Sequence, residues 1–481
     1  MRYLKKFLSL FFVAVILTIP AAYFIIDWKP KPAPVLKPKK PANDKVSSSA
    51  LILAIDRNEI ELTPVNKKGS VYWDTDQDEF RESSAWIGKN NGFLAIDRNN
   101  DGIINHHGEL LSQGFAELSE YDENSDKKLN DQDPPFSKLL VWIDKNSNGV
   151  SEKEEIFSLN DLGITNINLS FNDKDYEIEG NRVTQESTFT LKGQTHVIVN
   201  ASLTYDNMNT IYSGQYKLNP SVLMLPTLRG YGEVPELFIA MSKDEKLLEM
   251  IKEIDKADLK TLIDPDFDLE NRIEKMTYRW ALVENIEPSS RGENIDARKL
   301  AFLEKYTGHK FLQRNKWPNP TPYAANLLKK TYRKTTMYFL NLLFFQSAGK
   351  VFYEHGAKYN LYIGEIFGNN IDYVQLLTSK KQDVISSEKG DAYLFSPTSP
   401  NITISEKGGK DAIWLYGFGE EDVRYEKEKY NLLIHLGEKT ITVTKQLSPP
   451  NDKNENPYKI ETLVFDSGKR ISLDESLFSK Q

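Results

Sequence analysis

Four short acidic segments recur at near-constant intervals, opened by Asp74, Asp97, Asp122 and Asp144, which lie 23, 25 and 22 residues apart. The fourth places Asp144, Asn146, Asn148 and Glu152 at positions 1, 3, 5 and 9, Gly149 at 6 and Glu155 at 12. Alternate oxygen-bearing residues on a tightly curved loop suit calcium, a hard ion that takes six to eight oxygens. Gly149 permits the curve, the Val150 carbonyl at position 7 can donate, and Glu155 can close the shell with both oxygens. The second segment, with Asp97, Asn99, Asp101, Gly102, Ile103 and Asn105, opens equally well, but its closing acid Glu109 falls at position 13. The third, with Asp122, Asn124, Asp126, Lys128 and closing Asp133, has Lys127 in the glycine position. The first, with Asp74, Asp76, Asp78, Phe80 and Glu82, has neither the glycine nor a carboxylate at position 12. One such loop alone could be an Asx-rich turn satisfying its own backbone. Four in series argue for metal, with the fourth and second loops foremost.

Charge supports a cation as partner. From Asp74 to Asp161 there are 20 Asp/Glu against 8 Lys/Arg, a local net of −12, which repels nucleic acid. The chain of 481 residues has no cysteine, so disulfides, thiolate zinc sites and cysteine nucleophiles are excluded. Its length points to two or three domains.

The amino terminus differs. Phe7 to Ile26 is uncharged and apolar apart from Ser9 and Thr18, and as a helix would span about 30 Å, the thickness of a bilayer core. A Lys/Pro-rich stretch from Lys29 to Pro41 suits an extended spacer. The expectation is a single-pass bacterial inner-membrane protein with its bulk in the periplasm. Secretion after signal cleavage is the alternative.

The order of motifs is more specific than acidic loops alone. Val71-Tyr-Trp-Asp-Thr-Asp, Trp86-Ile-Gly, Gly92-Phe-Leu-Ala-Ile-Asp, Gly108-Glu-Leu-Leu, Val141-Trp-Ile-Asp and Leu159-Asn-Asp-Leu-Gly-Ile together resemble the EF-hand-like calcium module of RTX (repeats-in-toxin) proteins. The likeness is greatest to the self-processing module of iron-regulated RTX proteins, in which calcium folding drives cleavage of an Asp-Pro bond. Here Ser49-Ala50 stands where that bond would fall, and serine cannot form the required anhydride. Self-cleavage is therefore not expected. Glu406-Lys-Gly-Gly409-Lys-Asp411-Ala-Ile413 and Gly390-Asp391-Ala-Tyr393 resemble worn RTX repeats, too few to stack as a calcium-filled roll.

No Gly-x-Ser-x-Gly, P-loop or dinucleotide fingerprint occurs in a fitting context, and the pair His106-His107 is expected to face solvent. Arg229, Arg279 and Arg291 suggest either an anion site or surface ion pairs, the second being simpler. The expected fold is an α+β multidomain chain. It comprises a membrane segment (1–28), a linker (29–49), an EF-hand-like calcium module (50–215), a mainly helical domain (216–358) and a β-rich, RTX-like region (359–481). The expected function is that of a membrane-anchored, non-enzymatic calcium-binding protein with a protein partner that the sequence does not name. The alternative is a toxin-like or adhesin-like protein acting on another cell.

Overall fold

Around the acidic segments lie apolar runs of only three to five residues, such as Val71–Trp73, Asn91–Ala95 and Leu140–Trp142. Runs so short cannot nucleate a stable helix, and each becomes a strand. The computed structural model describes residues 47–65, 70–262, 264, 266–347, 371–376, 384, 386, 390–451 and 455–478.

The first unit is one sheet of eleven strands. These are β1 (Ser47–Ala54), β2 (Val71–Trp73), β3 (Phe80–Ser84), β4 (Asn91–Ala95), β5 (Lys128–Asn130), β6 (Leu140–Trp142), β7 (Ile156–Ser158), β8 (Ile164–Asn168), β9 (Asn172–Ile178), β10 (Asn181–Leu191) and β11 (Gln194–Tyr212). The order across the sheet is β5-β8-β10-β11-β1-β4-β6-β7, with β9 on β10 and the β2–β3 hairpin on the far end of β11. Neighbours are antiparallel. Alternate residues feed two cores, as the two-residue period of a strand requires. Leu51, Leu53, Leu94, Val141 and Ile198 join one, with Phe115 of α1 (Phe115–Leu118) and Leu159 of α2 (Leu159–Leu162). Ala50, Ile52, Phe93, Ala95, Trp142 and Val199 join the other, with Trp73 and Trp86. Both faces are covered, so the central strands carry no polar alternation.

β11 is nineteen residues long, and its register shifts between Asp206 and Thr210. At that bend Asn207 Nδ2 donates to the Gly308 carbonyl and Thr210 Oγ1 to that of Gly232. The sheet is thereby tied to six helices: α3 (Leu237–Lys243), α4 (Glu245–Lys256), α5 (Leu259–Leu262), α6 (Leu269–Trp280), α7 (Ala297–Thr307) and α8 (Pro322–Ser347). Asp244 separates α3 from α4. Its side chain accepts from the backbone N–H groups of Lys246 and Leu247, capping α4. The three singled-out arginines are engaged locally: Arg279 with Asp244 and Glu284, Arg291 with Glu304, and Arg229 with Asn209 and the Tyr231 ring.

The third unit has two sheets. β12 (Ile371–Leu376), β13 (Gly390–Phe395), β15 (Ala412–Leu415) and β19 (Thr462–Phe465) run parallel, with β20 (Arg470–Ser472) antiparallel at the edge. β14 (Ile402–Ile404), β18 (Lys439–Val443), β17 (Asn431–Leu436) and β16 (Val423–Glu428) form the other. Tyr393, Phe395, Ile413 and Leu415 face the second sheet, whereas Ala392, Leu394, Ala412 and Trp414 pack in the helical core.

The structure corrects three expectations. The chain is mostly β, with twenty strands against eight helices among the described residues, rather than the α+β arrangement anticipated. None of the four acidic loops runs between helices longer than one turn. Strands lead into loops 1, 2 and 4, a 3-10 turn (Ser119–Tyr121) leads into loop 3, and Pro134 and Pro135 open another short 3-10 turn after it. Among the described residues, no helix is long and apolar enough to cross a membrane. The longest, α8, carries Lys329, Lys330, Arg333 and Lys334. No described helix supports the single-pass inner-membrane placement, which is therefore withdrawn. Phe7–Ile26, on which it rests, lies outside the described residues.

Candidate metal centre

The acidic loops adopt one backbone form four times. Position 4 (Gln77, Asn100, Ser125, Ser147) and position 6 (Glu79, Gly102, Lys127, Gly149) all have φ between 57° and 84°. Turning the chain left-handed twice within three residues points alternate side chains inward. Three loops also share one set of hydrogen bonds. The N–H at position 5 donates to the position-1 carboxylate at 3.2, 3.3 and 3.2 Å in loops 2, 3 and 4, and to the position-3 amide oxygen at 2.9 Å in each. The N–H at position 6 donates to the second oxygen of position 1 at 2.9, 3.0 and 2.9 Å. The N–H at position 7 closes on the position-5 side chain in all four loops, at 2.7 to 3.0 Å. Lys127 and Glu79 thus hold a turn that glycine would hold with less strain.

The opening residues of loops 1 to 3 are partly exposed, whereas Asp144 and all the closing acids are buried. Glu82, Glu109, Asp133 and Glu155 are 4%, 0%, 1% and 6% exposed. The displaced Glu109 still reaches its loop, at the end of a 3-10 turn, His107–Glu109, as Glu155 does at the end of Lys153–Glu155. Its Oε2 accepts from Asn105 N at 3.0 Å, and Glu155 Oε1 accepts from Lys145 N at 3.0 Å. Glu109 Oε1 and Glu155 Oε2 are buried with no hydrogen-bond partner. An unsatisfied buried carboxylate oxygen is costly, by about 1–3 kcal/mol or more, and a cation in the loop would satisfy it. Asp133 instead gives both oxygens to backbone, Glu123 N and Asn130 N, and Glu82 Oε2 accepts from Thr75. The donor set therefore fits calcium best in loops 2 and 4. In loop 1 the oxygens of Asp74, Asp76 and Asp78 lie within 4.8 Å of one another, as do those of Asp97, Asp101 and Glu109 in loop 2. At position 7 the side chains of Ile103 and Val150 are exposed, leaving only their carbonyls as possible ligands, whereas Phe80 is buried against Tyr212. Lys128 lies in β5, paired with Asn168.

Two features escape sequence reading. Trp73, Trp86 and Trp142 form a cluster with ring centroids 5.2 to 5.5 Å apart, and Trp86 Nε1 donates to Asp144 Oδ2 at 2.8 Å. The first ligand position of loop 4 is thus anchored on the core. Loops 2 and 4 also meet directly, through Ile104 N to Ser151 Oγ at 2.8 Å. The histidine pair does not face solvent as expected. His107 is largely buried, its N–H donates to the Asp74 carbonyl, and burial, aided by His106, pushes its pKa down to about 4.

Burial also raises the carboxylates. Asp78 is pushed up to about 7 by burial, then by Asp76 and Asp74, and Glu82 to about 7 by burial, then by Asp76 and Asp78. Glu155 is raised by burial first and then by Glu152.

Residues 51–204 match the SPM domain family. That span coincides with the eleven-stranded sheet and all four loops. Over 224 residues the chain is 27% identical to iron-regulated protein FrpA of Neisseria meningitidis serogroup C, across 44% of this chain and 20% of that protein. It therefore spans about a fifth of the length of this curated relative. The similarity supports an RTX-related character for the matched part of the chain.

Two predictions follow from this geometry. A Cβ on Gly149 would lie 2.4 Å from Val71 Cγ1 and 3.0 Å from the Tyr72 carbonyl, whereas one on Gly102 meets nothing within 4 Å. Gly149→Ala should cost about 2–4 kcal/mol, from left-handed strain plus overpacking. Gly102→Ala should cost only about 1–2 kcal/mol from strain. Equal midpoints for the two variants in urea would contradict this.

The second concerns pH. Raised carboxyls bind more protons in the folded state, so they stabilise it below about pH 4 and lose that contribution as pH climbs through about 7. His107, held low, has the opposite sign, but only between about 4 and 6.5. Above pH 6.5 the carboxyls act alone. In chelator, the melting temperature should fall between pH 6.5 and 8, and Glu82→Gln should flatten that fall. A flat wild-type profile would show that these groups carry no such strain.

Proposed function

We propose that residues 47–212 form a non-enzymatic calcium-binding module, ordered by the cation, whose calcium-bound surface serves recognition of a protein partner. The observation that carries the reading is the pair of buried closing acids, Glu109 and Glu155, each with an oxygen left unpartnered beside a loop already turned for calcium. Clustered carboxylates repel until a cation arrives, so its binding free energy adds to folding.

Absence of self-processing is part of the proposal. Ser49 and Ala50 sit in mid-strand, paired with Ser202 and Ala201, and no aspartate is there to attack its own carbonyl. The RTX-related similarity supports calcium as the ion, and the acidic loops fall within the span that matches the SPM domain.

At free calcium 100 times the dissociation constant, one site adds about 2.7 kcal/mol. For a unit of this size, that raises the melting temperature by roughly 5–10 °C. Glu155→Gln keeps an acceptor for Lys145 N but removes the charge. In calorimetry of the full chain it should lose that increment in calcium while melting close to wild type in chelator. Emission from the Trp73/Trp86/Trp142 cluster should change on calcium addition, since Asp144 cannot serve both the indole and the metal unaltered. The chain should stay intact on a gel in millimolar calcium. Identical melts in calcium and chelator would reject the module as a calcium site, and a calcium-triggered fragment would reject the non-enzymatic reading.

A further inference from the structure

We propose that the loop 309–321 and the outward stripe of α8 form a docking surface for an anionic lipid membrane, as a peripheral contact that involves no membrane-spanning helix.

The sequence concentrates positive charge there. From Lys305 to Ser347 there are 8 Lys/Arg and no Asp or Glu, in a chain whose net charge is −8. Lys310, Arg314 and Lys316 of the loop and Lys329, Lys330 and Lys334 of α8 are all exposed. None of the six enters an ion pair among the described residues. Glu304, which meets the loop through Phe311 N, already holds Arg291 with both of its oxygens.

Large apolar side chains stand among these cations. Leu312, Trp317, Tyr323 and Leu327 are 56%, 59%, 60% and 38% exposed, whereas every other described tryptophan is at most 7% exposed. Along α8, Tyr323, Leu327, Lys330 and Lys334 recur every three to four residues and so share one face. The opposite face, with Ala325 and Tyr332, is buried. Trp317 does not hang on a loose tip. Arg291 Nη2 donates to the Pro318 carbonyl at 2.6 Å, Asn294 Nδ2 to that of Pro320 at 3.0 Å, and Gln313 N to that of Trp317 at 2.9 Å. Phe311 packs beneath on the cluster of Ile295, Leu300 and Ala325. The scaffold therefore fixes an indole on the outside.

Exposed apolar side chains interleaved with cations mark an interaction site, and composition separates the anionic surfaces that could meet it. Five of the six cations are lysines, a residue depleted at protein–protein interfaces. Nucleic acid is gripped through arginine forks on phosphate, and only Arg314 of the six could supply one. An anionic bilayer uses both halves of the surface. Ammonium groups sit at the phosphate headgroups, while tryptophan and tyrosine rings settle at the boundary with the acyl chains. It also needs no matching groove, which suits side chains projecting from a loop and a helix face.

The test is quenching of tryptophan emission in the full chain by vesicles of brominated phosphatidylcholine, with and without phosphatidylglycerol. Chelator is present throughout, so calcium neither bridges lipid to protein nor fills the acidic loops. Trp28 and the apolar stretch Phe7 to Ile26 can respond to lipid on their own, so the readout is the share of quenching that Trp317→Phe removes. That share should appear only with phosphatidylglycerol and shrink as salt is raised. Lys316→Glu/Lys330→Glu should raise the lipid concentration needed for it by about tenfold or more. All three altered residues are exposed, so the variants should melt as wild type does. Equal quenching of wild type and Trp317→Phe, or equal quenching with and without phosphatidylglycerol, overturns the proposal. So does a charge-reversed variant that loses binding to polyglutamate while its lipid quenching is unchanged, a result that would assign the surface to an acidic protein. None of these outcomes bears on the calcium loops.

Discussion

Burying a carboxylate is among the least favourable things a fold can do, and the eleven-stranded sheet does it four times. Glu82, Glu109, Asp133 and Glu155 are all nearly inaccessible, within a segment whose net charge is −12. The cost of removing ions from water is several kcal/mol each unless partners compensate. Two of the four find backbone or hydroxyl donors for the oxygens that face the loop, as Asp133 does with Glu123 and Asn130. The other two, Glu109 and Glu155, each keep one oxygen without a donor. The same loops turn their remaining acids toward these points. This constraint explains why the sheet surrounds the loops with large apolar side chains, since a rigid wall is needed to hold acids where water cannot reach.

The tryptophan cluster is the clearest part of that wall. Trp73 directly precedes loop 1, Trp142 stands two residues before Asp144, and Trp86 bonds Asp144 directly. Packing of the core and placement of the first ligand are therefore one event. β11 extends the coupling. Tyr212 at its end accepts from Lys243 of α3 and donates to Glu79 of loop 1, while its ring meets Phe80. Loop 1 thus touches the helical unit through Tyr212.

Much of the site was legible in the sequence, because cation loops are local. Asp144, Asn146, Asn148 and Gly149 need only their own spacing to be read as a curved oxygen cage, and the structure puts Gly149 at the positive φ this requires. The flanking elements were not legible. Apolar runs such as Leu139 to Ile143 are too short to show a helical or strand period, and both faces of β6 are buried, which erases the alternation that marks a strand. His106 and His107 were misread because polarity suggested solvent, whereas the 3-10 turn that carries Glu109 inward folds His107 under as well.

By itself, then, the sequence determined the four loops, their likeness to RTX-related calcium modules and their ranking by completeness. All of that depends on residues within about a dozen positions of one another. The tertiary structure decided that strands lead into loops 1, 2 and 4, that loops 2 and 4 touch through Ile104 and Ser151, and that Asp391, Glu406 and Asp411 converge. Ile104 and Ser151 are 47 positions apart, and Asp391 and Asp411 meet across paired strands. Their energy comes from burial and register, which become defined only when the sheets close.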